Sequence, residues 1–241
     1  MRGPYRRYWI EAARLELDNM QAKGVYELVR LKPGERIRPI RGKWVLKVKK
    51  TEDGTVDKFR ARYVALGNTQ RAGIDYRKTT APVLNAVSLR CLLAVVTEMD
   101  WPLKQLDVSV AYMNSFLESD IRLFLAPPPG LHVPKGYGCL ARKGLYGLCQ
   151  AGHRWAVLKA RTLRALNFQR SAAEPCLWIR NDHRGIVIAG VVVDDFIVTV
   201  RFSRSTYHKY GPSKRRGTTE NAAHSVFSSR WISPVHKVNA H

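Results

Sequence analysis

The feature that most constrains this chain is a pair of adjacent aspartates inside an apolar run. Asp194 and Asp195 interrupt a stretch of β-branched and other apolar residues over 185–200. Apolar segments on both sides of a short polar break are typical of two buried strands joined by a tight turn. Carboxylates at such a turn are costly to desolvate unless a cation neutralises them. A hard divalent ion suits that role, so the pattern predicts a hairpin that presents acidic metal ligands.

A third aspartate, Asp107, lies at the end of another strand-like segment, residues 102–108. Phosphoryl transfer to a growing strand uses two divalent ions about 3.5–4 Å apart, which carboxylates from separate strands can hold. Asp107, Asp194 and Asp195 are therefore candidate catalytic and metal-binding residues for hard divalent ions. An ordinary solvated turn is the alternative explanation for the dyad, because aspartates are common in turns.

The charge of the chain limits its partners. The formal net charge is +22, and residues 201–241 contain eight Lys and Arg residues but only one acid, Glu220. Without that segment the chain still carries about +15, so its body is basic as well. Such a balance favours a polyanionic partner, most often nucleic acid. A protein that is merely basic is the alternative.

Other bulk features narrow the class of protein. No apolar run reaches the roughly 18 residues that a membrane helix requires, so we expect no membrane span. The N-terminus lacks the apolar core of a signal peptide. The four cysteines are scattered without a CxxC pair, which argues against a zinc site or a disulfide framework and for reduced intracellular thiols.

A basic hairpin is expected near the N-terminal third of the chain. Asp53 and Gly54 predict its turn, between strands over 43–50 and 58–66. Along the second strand, Lys58, Arg60 and Arg62 share one face because side chains alternate. Three cations on one face suit a triphosphate or a nucleic-acid backbone, and a solvated edge blunted by charge is an equal alternative. The other expected elements are helices over 8–23, 87–99, 111–116 and 153–166, and strands over 102–108, 174–180, 187–193 and 196–200.

Several segments, in order, resemble the reverse transcriptase of copia-type LTR retrotransposons. The resemblance covers roughly residues 9–200. No single segment is specific, but the ordered set is. The segments are Trp44 to Gln70, Gly73 to Tyr76, Ala81-Pro-Val83, Gln105-Leu-Asp-Val-Ser-Val-Ala-Tyr-Met-Asn114, Pro128-Pro-Gly130, Leu145-Tyr-Gly-Leu-Cys-Gln-Ala151 and Val192-Val-Asp-Asp195.

The resemblance implies an α+β fold with the fingers and palm subdomains of a right-hand polymerase. The fingers are expected over about 25–85 and 120–150, and the palm over about 86–119 and 151–200. The thumb is expected to be absent. Residues 201–241 are expected to form a disordered basic tail, because they combine low hydrophobicity with high charge.

The resemblance also implies RNA-directed DNA polymerisation on an RNA or DNA template-primer, with deoxynucleoside triphosphates as substrates. It further implies two Mg²⁺ ions, for which Mn²⁺ is a possible substitute. Asp107, Asp194 and Asp195 match the catalytic triad that binds the metals. Tyr112 matches the aromatic gate under the sugar, and a plain core aromatic is its alternative. Val192 and Val193 match the primer-terminus position. The implied nucleotide-binding residues are Lys58, Arg60, Arg62, Val108, Tyr112, Tyr146 and Gly147.

Two departures from the family pattern lower the expected activity. The family usually has Tyr where this chain has Val192, and the pattern ends after Val200. We therefore expect a truncated or frameshifted copy with weak or no polymerase activity, located in a cytoplasmic particle or the nucleus and of undefined oligomeric state. A non-catalytic nucleic-acid-binding remnant, with salt-dependent affinity, and an unstable pseudogene product are the alternatives.

Overall fold

The computed structural model describes residues 3–203 and the backbone of the short strand 232–233. The chain has the mixed helix and sheet composition that the resemblance implies. It divides into two compact units, one comprising Met1–Thr80 and Tyr112–Trp155, the other Ala81–Ala111 and Ala156–His241. The elements are α1 (Arg6–Ala22), β1 (Tyr26–Arg30), β2 (Gly42–Lys50), β3 (Val56–Ala65), α2 (Ala86–Glu98), β4 (Leu103–Val108), β5 (Phe124–Leu125), β6 (Tyr137–Ala141), α3 (Ala151–Ala165), β7 (Gln169–Arg170), β8 (Leu177–Asp182), β9 (Gly185–Val192), β10 (Asp195–Phe202) and β11 (Ile232–Ser233).

The first unit is built on the hairpin of β2 and β3 and on a small antiparallel sheet in the order β1-β6-β5. Helix α1 packs against the hairpin. Its Trp9 lies edge-on to Phe59 of β3, with ring centroids 4.6 Å apart, and its Met20 is fully buried. The helix ends before Gly24, whose φ of 62° lies in the left-handed region that glycine adopts without strain.

The second unit contains a six-stranded sheet in the order β11-β4-β10-β9-β8-β7. Alternate residues of β9 and β10 are buried, as expected where successive side chains point to opposite faces. The pairs Val191–Phe196 and Ala189–Val198 face each other across the two strands, and all four residues are buried. This apolar layer fixes the strand register, because a shift by one residue would expose it.

Most of the predicted elements are present, but strands β1, β5 and β6 were not predicted, and other elements differ in type or at their ends. The segment expected to form a short helix after β4 is a single 3-10 turn, Ala111–Asn114. Strand β10 continues to Phe202, beyond the boundary expected at 200. Within the segment expected to be a structureless tail, Ile232–Ser233 pairs with β4, and residues 204–231 and 234–241 lie outside the described residues. Over the described part of the chain, no helix has the length and apolarity needed to cross a membrane.

Candidate active site

The strand pairing brings two of the three candidate aspartates side by side. Asp107, near the end of β4, is the register partner of Asp195, the first residue of β10. Directly opposite residues of antiparallel strands have Cα atoms about 4.5–5.5 Å apart and side chains on the same face. Asp194 joins the pairing through its backbone, because its carbonyl oxygen accepts a hydrogen bond from the Val108 amide at 3.0 Å.

The Val108 amide is thereby used within the sheet. Val108 itself is 4% exposed. Because its N–H group already donates to a backbone carbonyl, it has no free donor for a phosphate oxygen. The contact between Val108 and nucleotide phosphate stays a prediction.

The turn between β9 and β10 holds its first residue in an unusual conformation. Val192 and Asp195 are register partners, so Val193 and Asp194 form a two-residue turn. Val193 has a φ of 51°, and Val110, which follows β4, has a φ of 48°. Left-handed backbone is an outlier for β-branched residues, and such strain concentrates at functional sites. Both strained valines lie within three residues of a candidate aspartate.

The aspartates are half-buried, and one of them has a polar neighbour on the same strand pair. The amide of Gln105 donates from Nε2 to Oδ1 of Asp195 at 3.2 Å. Among the described residues, no group of three or more His, Cys, Asp or Glu side chains is arranged to hold a metal ion. The structure thus shows two carboxylates in register and a third at the adjoining turn, rather than a closed metal cage.

A second cluster of candidate residues forms within the first unit. The guanidinium carbon of Arg62 lies 4.9 Å from the ring centroid of Tyr146. Tyr112 meets the same ring edge-on, with centroids 5.2 Å apart. The Tyr146 carbonyl accepts a hydrogen bond from the Ala65 amide at the end of β3, at 2.8 Å. Three residues that the resemblance assigns to nucleotide binding are therefore in contact.

Gly147 permits this close approach of two backbone segments. Its φ is 86°, and a Cβ atom added there would lie 2.1 Å from the carbonyl oxygen of Ala65. Only glycine fits such a position without displacing β3.

The basic face of the hairpin is larger than the sequence analysis recognised. Lys47 is the register partner of Arg60, and Lys49 is the register partner of Lys58. Like charges directly opposite each other destabilise a strand pair, which indicates a surface suited to anions. Arg62 continues this face, and within the described residues its buried Nε has no hydrogen-bond partner. The alternation of apolar and basic residues in β2 was the available sequence signal. Only the strand register shows which cations of β3 its lysines face.

Lys159 is a site residue that the sequence analysis missed. It lies on α3, is 8% exposed, and donates from Nζ to the Val193 carbonyl at 2.8 Å. Burial lowers the pKa of Lys159 to about 8, while the electrostatic influence of Cys176 and Asp194 acts in the opposite direction. The sequence signal was its spacing of four residues from both Trp155 and Leu163, because residues four apart lie on the same face of a helix. Both of these neighbours are buried.

The predicted site residues thus fall into two sets, one in each unit. The second unit holds the aspartates with Val108, Val192 and Val193, and the first holds the basic and aromatic residues with Gly147. An acidic strand pair and a basic hairpin in one chain are typical of proteins that act on the phosphates of nucleotides or nucleic acids.

Comparison with known families specifies that class. Residues 23–206 match the family model described as reverse transcriptase (RNA-dependent DNA polymerase). The chain belongs to this family, as its copia-type motifs predict.

The curated relatives are polyproteins of plant transposons. The chain is 32% identical over 194 residues to the Retrovirus-related Pol polyprotein from transposon RE1 of Arabidopsis thaliana, covering 79% of this chain and 13% of that protein. Its identity to the corresponding polyprotein from transposon TNT 1-94 of Nicotiana tabacum is 30% over 198 residues, covering 81% and 15%. The polyprotein from transposon RE2 of Arabidopsis thaliana matches at 32% over 194 residues, covering 79% and 13%. The chain is thus a reverse transcriptase domain of the retrotransposon Pol type, and it spans about one seventh of the length of these relatives.

Proposed function

We propose that this chain forms fingers and palm subdomains that add deoxynucleotides to a primer 3′-hydroxyl on an RNA or DNA template. The register pairing of Asp107 with Asp195 carries the proposal, because it joins two sequence-distant carboxylates at a strained acidic turn. The division of the chain into two units supports a palm that contains the aspartates and fingers that contain the basic hairpin.

The donor set fits Mg²⁺ when substrate is included. Mg²⁺ is usually bound by one or two carboxylates together with substrate phosphates, rather than by an all-protein cage. Asp107 and Asp195 supply two carboxylates on one face of the sheet, and Asp194 supplies a third at the turn. Bound there, two divalent ions would stabilise the attacking and leaving oxygens and favour deprotonation of the 3′-hydroxyl. The carboxylates of the described residues do not close a cage by themselves, and the phosphates of the triphosphate would supply the remaining metal ligands.

The basic hairpin and the tyrosine pair are assigned to the nucleotide. Lys58, Arg60 and Arg62 would neutralise phosphate charge, and a guanidinium group can form charge-assisted hydrogen bonds with phosphate oxygens. Tyr146 holds the guanidinium of Arg62 through its ring face. Tyr112, which packs edge-on to Tyr146, would lie under the sugar and exclude a 2′-hydroxyl.

Val192 and Val193 are assigned to the primer terminus, and Val192 limits the expected activity. Val192 is an aliphatic residue where the copia-type pattern has an aromatic ring with a hydroxyl. It can contribute apolar contact at the primer end but no hydrogen bond. We therefore expect slow primer extension, and replacement of Val192 by Tyr should accelerate it.

The decisive experiment measures metal binding in the presence of a deoxynucleoside triphosphate. Electron paramagnetic resonance of Mn²⁺ would compare the wild type with Asp107→Asn and Asp195→Asn. We expect each variant to bind Mn²⁺ at least about tenfold more weakly, since a carboxylate ligand is lost. Asp100→Asn is the matched control, because Asp100 is exposed and Asn tolerates its left-handed backbone. Unchanged Mn²⁺ affinity in both site variants would refute the proposed metal site.

Binding of nucleic acid without catalysis is the second candidate, and the like-charged register pairs of the hairpin favour it. Phosphate neutralisation would then dominate affinity and give a steep salt dependence. Under this alternative, Asp107→Asn would bind a primer-template with unchanged affinity and salt slope, and no extension product would appear with any variant.

A further inference from the structure

A buried lysine donates a hydrogen bond to the acidic turn, the two-residue turn of Val193 and Asp194. Nζ of Lys159 donates to the carbonyl oxygen of Val193 at 2.8 Å. Lys159 is 8% exposed, so its ammonium group is held inside the second unit, and a buried charge is costly unless it is hydrogen-bonded. This hydrogen bond connects the interior of the unit to the residue directly before Asp194.

The accepting residue is the one whose backbone is strained. Val193 has a φ of 51°, a conformation that costs a β-branched residue free energy and persists only where surrounding contacts enforce it. A hydrogen bond from a charged donor is among the stronger single contacts available to a carbonyl. The position of Lys159 therefore accounts for the stability of a turn that valine disfavours.

We propose that Lys159 is a positioning residue of the acidic turn, in which its ammonium group fixes the Val193 carbonyl and thereby the orientation of the Asp194 carboxylate. This inference rests on the proposed function for its effect on metal binding, but the anchoring of the turn stands independently. The low pKa of Lys159, about 8, agrees with an ammonium that is desolvated and yet keeps its proton at neutral pH. The electrostatic attraction of Asp194 contributes to that retention.

The test uses three variants of the full chain and measures the turn directly. Lys159→Met keeps the length and the apolar stem but cannot donate, and Lys159→Arg keeps the charge and the donor. Arg161→Met removes a cation from an exposed position of the same helix and is the control. Hydrogen exchange of the amides in 192–196 should accelerate about tenfold or more in Lys159→Met, because a charged hydrogen bond is lost. Exchange should return toward the wild-type rate in Lys159→Arg and stay unchanged in Arg161→Met.

Mn²⁺ binding with a bound deoxynucleoside triphosphate is the second readout. Loss of a residue that orients a metal ligand typically weakens metal affinity by about tenfold or more, so Lys159→Met should bind Mn²⁺ more weakly. If Lys159 acted only as a positive charge, its removal would tighten Mn²⁺ binding, and that result would overturn the positioning role. Wild-type exchange rates in a folded Lys159→Met, or global unfolding in place of a local effect, would overturn it as well. A wild-type protein that binds no Mn²⁺ would refute the proposed metal site, while the exchange comparison would still decide the role of Lys159.

Discussion

Replacement of Gly147 by alanine tests how the first unit holds Tyr146 against the basic hairpin. At a φ of 86°, an added Cβ would lie 2.1 Å from the Ala65 carbonyl oxygen and 2.8 Å from Cγ1 of Val64. Left-handed backbone costs a non-glycine residue about 1–2 kcal/mol. Overpacking against groups that must move costs about 1–3 kcal/mol more. We therefore expect Gly147→Ala to lower the free energy of unfolding by about 2–5 kcal/mol, measured by urea denaturation.

Gly54→Ala separates the two contributions. Gly54 also has a left-handed φ, 79°, but an added Cβ would meet nothing within 4 Å. This control should lose only the backbone cost, about 1–2 kcal/mol. A Gly147→Ala variant that is no less stable than Gly54→Ala would refute the argument that the close approach of 147 and β3 is a tight contact. In the folded fraction, Gly147→Ala should also weaken nucleotide binding, because β3 carries Arg62.

Three further predictions concern the rest of the described chain. Burial raises the pKa of the Glu16 carboxyl, although the Tyr63 amide and nearby arginines act in the opposite direction. The folded state therefore binds this proton more tightly than the unfolded state, and stability falls as pH rises from the ordinary pKa of 4.5 through the raised pKa. Thermal scans should show Glu16→Gln more stable than the wild type at pH 7 and equal to it below about pH 4. Asn85 caps α2 by accepting from the Val87 amide at 2.8 Å, and Asn85→Ala should cost about 1 kcal/mol, or about 2–4 °C in Tm. Lys47→Gln should reduce the salt slope of primer-template binding by about one unit, whereas exposed Lys135→Gln should leave it unchanged.

Local patterns in the sequence were sufficient to predict the two hairpins, β2–β3 and β9–β10. The alternation in 43–50 and 58–66, with an Asp-Gly turn between, correctly predicts β2, β3 and the shared face of Lys58, Arg60 and Arg62. The paired apolar runs around Asp194 likewise predict β9 and β10. In both hairpins the partner strand lies a few residues away, so the pairing follows from the turn.

Long-range pairing could not be read from residue patterns alone. Gln105 and Asp195 are 90 positions apart in the sequence, and no local signal states that β4 adds to β10 rather than to another strand. The residue patterns made the three aspartates candidates for one metal site, and the family resemblance then matched all three to the catalytic triad. The sheet of β1, β5 and β6 was missed for a related reason. Tyr26 of β1 pairs with Ala141 of β6, and β5 has only two residues, too few for a period of two to be recognised.

Two places where the chain breaks local rules lie in segments that carry the family motifs. A β-branched residue takes a left-handed backbone at Val193, and lysines face cations across the hairpin at Lys47 and Lys49. Neither arrangement improves the stability of the isolated chain, since the first adds backbone strain and the second adds repulsion. Natural proteins accept such violations mainly at functional sites. Phosphate bound along the basic hairpin would offset the second of these costs, because it would neutralise the cations that face each other there.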